Sequence, residues 1–546
     1  MLGNLKSRFL PLSSTWAVVL VTLYLVVAFN GIFFDKIVEL RPLASLRDAA
    51  FLVSIFGFLA SVFAIFLSLF AFRWIFKPVA ILLILIGAAA YYFMKHYGVV
   101  IEKTMIQNVM ETDTREGLEL ISNGFVLYFL GAGVLPAVLL ARMPIVHRPF
   151  MGDLLGKLVT LVAALGVIGL IAANFYQDYA SLFRNHRYVR DLIVPLNAIY
   201  STQSYIKHLL PEKNHDHIVI GQDASRTPAA VKSTKPRVLI LVVGETARAD
   251  HFSLNGYARQ TNPVLEKGGF LNFPHVTSCG TTTAVSVPCM FSGQGRSEFA
   301  PSEFLYRDNL LDVVQRSGVA VAWMDNNSGC KDVCDRVEQI NLESSDDPRF
   351  CHDGECLDEV LIDPLKAKLA AANGDMVIVL HQKGSHGPAY FLRVPPAFET
   401  FKPICRTVEL QNCTSGEVVN AYDNSILYTD YFLGKVQEAL QAEQGRLAVG
   451  MLYVSDHGES LGENNIYLHG LPYSLAPEAQ THVPMVAWMS DDFNRASRMD
   501  PACMVQQTNE PWSQDNLFST VLGMMDVSTG VYNREQDIFG RCRGGA

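Results

Sequence analysis

A chain of 546 residues and 60.5 kDa is longer than one small core requires, so several domains are expected. Its net charge of -9 and pI near 5.9 leave no basic footprint for nucleic acid, which excludes that class of partner. The mean hydropathy of +0.20 averages two unlike parts: long apolar runs dominate up to residue 177, and the remainder mixes charge, Gly and Pro as a globular domain does.

Five runs free of Asp, Glu, Lys and Arg come first: Phe9 to Phe34, Ala49 to Phe72, Pro78 to Met94, Leu120 to Ala141 and Leu158 to Gln177. At about 1.5 Å per helical residue, each is long enough, or nearly so, to cross about 30 Å of hydrocarbon. The third is short, but Trp74, Ile75 and Phe76 extend it and Lys77 can snorkel. The first is too long for a cleaved signal peptide, and no small-residue cleavage site follows it. Residues 1–177 are therefore expected to form a transmembrane domain of five α-helical spans. Lys6 and Arg8, Arg73 and Lys77, and Arg142 and Arg148 mark cytoplasmic ends, including the N-terminus. Glu102, Glu111, Asp113, Glu116 and Glu119 crowd an outer loop, although Lys36, Arg41 and Arg47 weaken the contrast. An odd number of spans then places everything after residue 177 outside the cytoplasm.

Residues 178–236 read as a connector. Asp178 to Leu210 interleaves Arg184, His186, Arg187 and Arg190 with Leu182, Phe183, Tyr188, Leu192, Ile193 and Ile199. That pattern suits a helix at the membrane surface, or a plain linker helix. Pro211 to Pro236, rich in polar residues, Pro and Ala, reads as a flexible bridge.

From Arg237 to the end, residues 237–546, short β-branched runs alternate with helical stretches. Val238 to Val243, Val319 to Trp323, Met376 to Leu380, Leu447 to Val454 and Val483 to Trp488 predict buried strands. Asn309 to Arg316, Leu357 to Ala372 and Glu417 to Ala442 predict helices. Such alternation argues for an α/β sandwich around a mostly parallel sheet, with ligands at the carboxyl ends of the strands. All ten cysteines fall in this part, as Cys279 and Cys289, Cys330 and Cys334, Cys351 and Cys356, Cys405 and Cys413, with Cys503 and Cys542 left over. An even count confined to the exported part reads as a disulfide framework formed in an oxidising compartment, rather than as a zinc cluster of thiolates.

Three segments carry chemistry. The first strand runs into Gly244 and Glu245, a carboxylate where a metal or substrate would be held. Thr277 to Met290 (TSCGTTTAVSVPCM) puts Thr281 to Thr283 at a candidate helix N-terminus, which favours an anion. Tyr453 to Glu463 (YVSDHGESLGE) supplies Asp456 and His457 as adjacent oxygen and nitrogen ligands past another strand. Glu245, Asp456 and His457 are expected to converge at one sheet edge with the Thr283 hydroxyl in the fourth position. Coordination to a dication lowers the hydroxyl pKa and supplies a nucleophilic alkoxide. Zinc suits this mixed donor set, with manganese as the alternative. His381 and His386 in HQKGSHGP, His469 in YLHG, Asn327 and Lys331 are candidates to bind phosphate or protonate a leaving group.

On GETARADHFSLNGY, SCGTTTAVSVPCMFS, DNNSGCK, HQKGSHGPAY and SDHGESLGENNIYLHG, together with the five spans, the sequence resembles the lipid A phosphoethanolamine transferases of the alkaline phosphatase and sulfatase superfamily. Thr282 stands where that family often carries serine. The resemblance implies that Thr283 is the nucleophile, that Glu245, Thr283, Asp456 and His457 bind one catalytic zinc ion, with room for a second, and that Asn327, Lys331, His386 and His469 contact phosphoethanolamine. It also implies phosphatidylethanolamine as donor, a lipid A phosphate as acceptor, resistance to polymyxin, and a Gram-negative inner-membrane protein with its catalytic domain in the periplasm; a monomer is expected. The rival readings are the same chemistry on lipopolysaccharide core or periplasmic glucan, and a glycerol-phosphate transferase.

Overall fold

The computed structural model describes residues 11–111, 120–146, 149–209, 216–231, 233–343, 345–352 and 355–544. The chain divides into two compact units, Met1–Ile106 with Ile121–Lys207, and Gln107–Leu120 with His208–Ala546.

In the first unit, four helices among the described residues are long and apolar enough to cross a membrane: Leu46–Leu69, Phe76–Tyr97, Asn123–Arg142 and Met151–Tyr179. The first apolar run forms a bent pair, Ser14–Phe29 and Gly31–Leu40, meeting at 61°, which brings the number to five when the pair is counted as one span. The first apolar run thus differs from the single straight helix expected of it. The bend falls at Asn30, whose buried side chain donates to the Leu25 and Val194 carbonyls at 2.9 and 2.8 Å and accepts the Val194 N–H at 3.0 Å. The fourth span holds a π-helical stretch, Phe129–Val134, where the Tyr24 hydroxyl donates to the Ala132 carbonyl at 2.5 Å. The last span outruns its apolar run as one helix, Phe150–Asn185. A 3-10 turn, Arg187–Leu192, and a helix, Leu196–Leu209, then fill the stretch read as one interfacial helix. Pro195 and the extended Ile193 (φ -84°, ψ 99°) keep the two apart.

In the second unit an eight-stranded sheet is built from β1 (Arg237–Gly244), β2 (Leu271–Thr277), β3 (Ala320–Asp325), β4 (Glu338–Asn341), β5 (Met376–His381), β6 (Ala448–Ser455), β7 (His482–Met489) and β8 (Trp512–Ser513). Their order is β8-β2-β7-β6-β1-β5-β3-β4. Every pairing is parallel except those of β7, which runs against both β6 and β2. Strands β1 and β6 are buried along their whole length, which is why they read as unbroken apolar runs. Strands β2, β4 and β8 escaped the sequence reading because they are half-exposed and carry Asn, Glu, Gln and Ser. Helices Leu310–Arg316, Ile362–Ala371, Ser415–Ala442 and Leu517–Met524 complete an α/β sandwich around a mostly parallel sheet, as expected. Asn309 caps the first of these and Thr414 the third, each in a capping box.

The bridge expected between Pro211 and Pro236 lies partly outside the described residues. Its described part is paired rather than loose: Ile218 exchanges backbone hydrogen bonds with Tyr306 and Asp308 at 2.6 and 2.9 Å, and Ser225–Arg226 pairs with Val527–Ser528. All ten cysteines are joined, as 279–289, 330–334, 351–356, 405–413 and 503–542.

Candidate active site

Parallel register builds the site. Ser455 of β6 lies opposite Gly244 of β1, so the next residues, Asp456 and Glu245, leave the sheet side by side. The Asp456 N–H donates to the Gly244 carbonyl at 3.0 Å, which holds the two strand ends together. Past β5 the loop 382–386 folds over them, with the Ser385 N–H donating to the Glu245 carbonyl at 3.0 Å. Gly384 at φ +53° is required there: a Cβ would sit 2.8 Å from the Glu245 carbonyl oxygen. Asp358 fixes the same loop by accepting the N–H groups of Lys383 and Gly384 at 2.8 and 3.0 Å.

Thr283 is the first residue of helix Thr283–Ser292, after Thr282 in extended conformation. The preceding turn packs so closely that a Cβ on Gly280 would meet Val285 at 2.8 Å, and the Gly280 N–H donates to Ser286 Oγ at 2.9 Å. This geometry aims Thr283 Oγ1 at the strand ends, 3.1 Å from Glu245 Oε2 and 3.5 Å from His457 Nε2.

Glu245, Asp456 and His457 are buried, and one ligand atom from each lies within 4.8 Å of the others. His457 Nδ1 faces the Gly458 carbonyl at 2.9 Å, so that nitrogen carries the hydrogen and Nε2 is directed at the cluster, 3.3 Å from both Glu245 Oε1 and Asp456 Oδ2. Asp456 Oδ1 accepts the N–H groups of Thr246 and His457, while Oδ2 has no hydrogen-bond donor. Burial raises the Glu245 pKa, but the hydrogen bond and charge of His457, with His386 and His469 beyond, hold that carboxyl well below its usual range. Burial and repulsion from Glu245 push Asp456 up to about 7. Burial disfavours charge on His457, yet Asp456, Glu245 and the Gly458 carbonyl raise it to about 10. Two carboxylates around one imidazole therefore call for added positive charge, and an oxygen-oxygen-nitrogen set with an orphaned oxygen fits a dication.

The other expected site residues divide. Asn327 Nδ2 donates to Glu245 Oε2 at 2.7 Å and to the Gln382 carbonyl at 2.8 Å, so it orients the carboxylate. The His469 ring lies 4.3 Å from that of His457 and 5.6 Å from that of His386. Lys331, at φ 52° beside the 330–334 disulfide, turns its Nζ to the Ser328 carbonyl at 2.8 Å, and no hydrogen bond or ion pair joins it to the cluster among the described residues. His381 stands behind Asn327, its Nδ1 3.3 Å from Asp325 Oδ2.

Several residues here went unread in sequence. Buried Glu459 accepts from Tyr390 and lies 2.7 Å from His469 Nδ1, and its position three residues past Asp456 was the available signal. Asp358 had none, because it acts across the fold.

A helix-terminal threonine facing a buried metal-type cluster, at the carboxyl edge of this sheet, defines a metalloenzyme-like site of the sulfatase and alkaline phosphatase class. Residues 237–527 match the sulfatase family, and residues 59–210 match the family described as phosphoethanolamine transferase EptA/EptB. The chain is 42% identical over 526 residues to phosphoethanolamine transferase EptA of Salmonella typhimurium, covering 96% of each protein. It is 38% identical over 518 residues to phosphatidylethanolamine transferase Mcr-1 of Escherichia coli, covering 93% of this chain and 94% of the relative. The integral membrane lipooligosaccharide phosphoethanolamine transferase A of Neisseria meningitidis superimposes with a TM-score of 0.92 at 39% identity, covering 98% of this chain and 100% of that one. The chain belongs to the phosphoethanolamine transferases.

Proposed function

We propose that this enzyme moves phosphoethanolamine from phosphatidylethanolamine to a phosphate of lipid A through a covalent adduct on Thr283. The observation that carries the reading is Thr283 Oγ1, presented at a helix start 3.1 Å from Glu245 Oε2 and 3.5 Å from His457 Nε2. Glu245, Thr283, Asp456 and His457 would hold zinc, which when bound lowers the hydroxyl pKa and offsets phosphoryl charge.

Thr283 Oγ attacks the phosphorus of the donor phosphodiester. The bond from phosphorus to the glycerol oxygen breaks, that oxygen takes a proton, and diacylglycerol leaves. An oxygen of the lipid A phosphate then attacks the same phosphorus, the Oγ–P bond breaks, and Thr283 recovers its hydroxyl. Asn327 keeps Glu245 in place during both steps. Glu459 fixes the ring of His469, which with His386 and Lys331 binds phosphoethanolamine or carries the proton. The names of Mcr-1, for its donor, and of the Neisseria protein, for its acceptor, support these substrates. The five disulfides and the cationic ends of the apolar runs support an inner-membrane protein with a cytoplasmic N-terminus, residues 178–236 as connector, and a periplasmic catalytic domain. Adding a zwitterion reduces surface negative charge, so expressing cells should resist polymyxin.

The test is mass spectrometry of lipid A from a host expressing wild type or Thr283→Ala. Phosphoethanolamine on lipid A with wild type alone is expected. Modified lipid A with both would remove Thr283 as nucleophile, and modification with neither would remove lipid A as acceptor.

A further inference from the structure

Gln514 is buried, in the 3-10 turn Gln514–Asn516 that follows β8. Register brings it there: Ser513 pairs with Thr277 of β2, so the residues after each strand emerge together. Its amide is fully used. Oε1 accepts the Cys279 N–H at 2.7 Å, and Nε2 donates to the carbonyls of Ser455 and Asp456, each at 2.7 Å. The orientation of the amide is fixed by its partners, since an N–H only donates and a carbonyl only accepts.

One side chain therefore ties the loop that carries the nucleophile to the backbone of a cluster carboxylate. Cys279 begins the turn that delivers Thr283, and its disulfide to Cys289 anchors that turn to the helix it starts. Thr281 joins the same turn to a different loop, its hydroxyl donating to the Leu471 carbonyl at 2.7 Å and its carbonyl accepting the Gly470 N–H at 2.9 Å. Thr281 thus sets the turn against the His469 loop, and Gln514 sets it against Asp456.

We infer that Gln514 is a positioning residue that fixes the approach of Thr283 to Glu245, Asp456 and His457. The inference rests on the proposed role of Thr283. An amide suits the position because it accepts at one end and donates twice at the other. A carboxylate of the same shape would set oxygen against two carbonyl oxygens, and alanine would leave an N–H and two carbonyls without this partner.

The test uses the full-length enzyme with Gln514→Glu and Gln514→Ala, measuring turnover and KM with phosphatidylethanolamine, bound zinc, and thermal unfolding. A displacement of about 1 Å should lower kcat about a hundredfold with KM and zinc content retained. The cobalt-substituted protein supplies a readout independent of transfer: its visible absorption should move toward that of Thr283→Ala in both variants. A cobalt spectrum identical to wild type in a folded variant would overturn the inference, as would a loss of turnover that only follows lost zinc or lost thermal stability. Absence of transfer by the wild type would sink the proposed reaction, while the cobalt spectra would still decide the position of Thr283.

Discussion

Strand β1 carries buried charge at both ends, and the two ends treat it differently. At its start Arg237 donates from Nη1 to Asp526 at 2.8 Å and from its backbone N–H to Asp375 at 2.6 Å. Arg226 pairs with Asp375, and Arg498 lies 3.3 Å from Asp526, so cations and carboxylates alternate. At its far end two carboxylates meet one imidazole, and Asp456 Oδ2 receives no hydrogen bond. The two ends thus carry opposite balances of charge: three guanidiniums against two carboxylates at the start, and two carboxylates against one imidazole at the far end. Paired cations and carboxylates anchor the fold at one end, whereas a carboxylate excess at the ligand edge of a sheet is organised to receive a cation.

The largest effect expected from this contrast comes from neutralising one carboxylate at each end. Asp526→Asn leaves Arg237 and Arg498 short of a counter-charge and should cost about 3 kcal/mol of stability. Asparagine tolerates the φ of 51° at that position, so the change isolates charge from backbone strain. Asp456→Asn should instead leave the chelator-treated protein as stable as wild type or more so, because it relieves repulsion with Glu245, while abolishing zinc binding and transfer. Thermal unfolding of the full-length protein with and without chelator, alongside zinc content, reads both. If Asp456→Asn destabilised the chelated protein as much as Asp526→Asn, the two ends would not differ as described.

Asp430, in the helix Ser415–Ala442, sharpens the contrast from between these extremes. Its oxygens accept the N–H groups of Val264 and Leu265, both at 2.9 Å, and it forms no ion pair among the described residues. Burial pushes its carboxyl up to about 7 against the pull of those two donors. A carboxyl whose folded pKa exceeds its unfolded value of about 3.9 carries a penalty absent below that pH and growing toward the folded pKa, by at most about 1.4 kcal/mol per unit. Asp430→Asn should therefore gain on wild type steadily between pH 4 and pH 7 in thermal unfolding. A pH-independent difference would mean that two N–H groups offset the burial of Asp430 completely.

The same distinction explains what was legible in the sequence. Strands β1, β3, β5, β6 and β7 announce themselves because burial on both faces demands unbroken apolar residues. The direction of β7 does not, since a buried strand reads alike either way. Glu245, Thr283, Asp456 and His457 were visible as a group that would converge, because each is a chemically distinctive residue just past a strand or at a helix start. Gln514 and Asp358 were not, since a buried amide or carboxylate that braces a loop is identified only by partners distant in sequence. The bend at Asn30 is of this kind too: it depends on Val194, 164 residues away.

The smallest effect tests whether burial amplifies neutral contacts as it does charged ones. Asn309 and Thr414 each head a capping box, the first buried and the second exposed. Asn309 Oδ1 accepts the Leu311 N–H at 2.8 Å, and its Nδ2 also donates to the Val333 carbonyl at 2.9 Å, tying the helix to the segment that follows Lys331. Asn309→Ala should cost about 1–2 kcal/mol and Thr414→Ala about 0.5 kcal/mol, because solvent takes over the exposed cap and cannot reach the buried one. Thermal unfolding at pH 7 measures both, and neither change should alter zinc content. Equal losses would mean that burial acts on the two ends of β1 through charge alone, and that the hydrogen bonds bracing the site's edge add nothing for being dry.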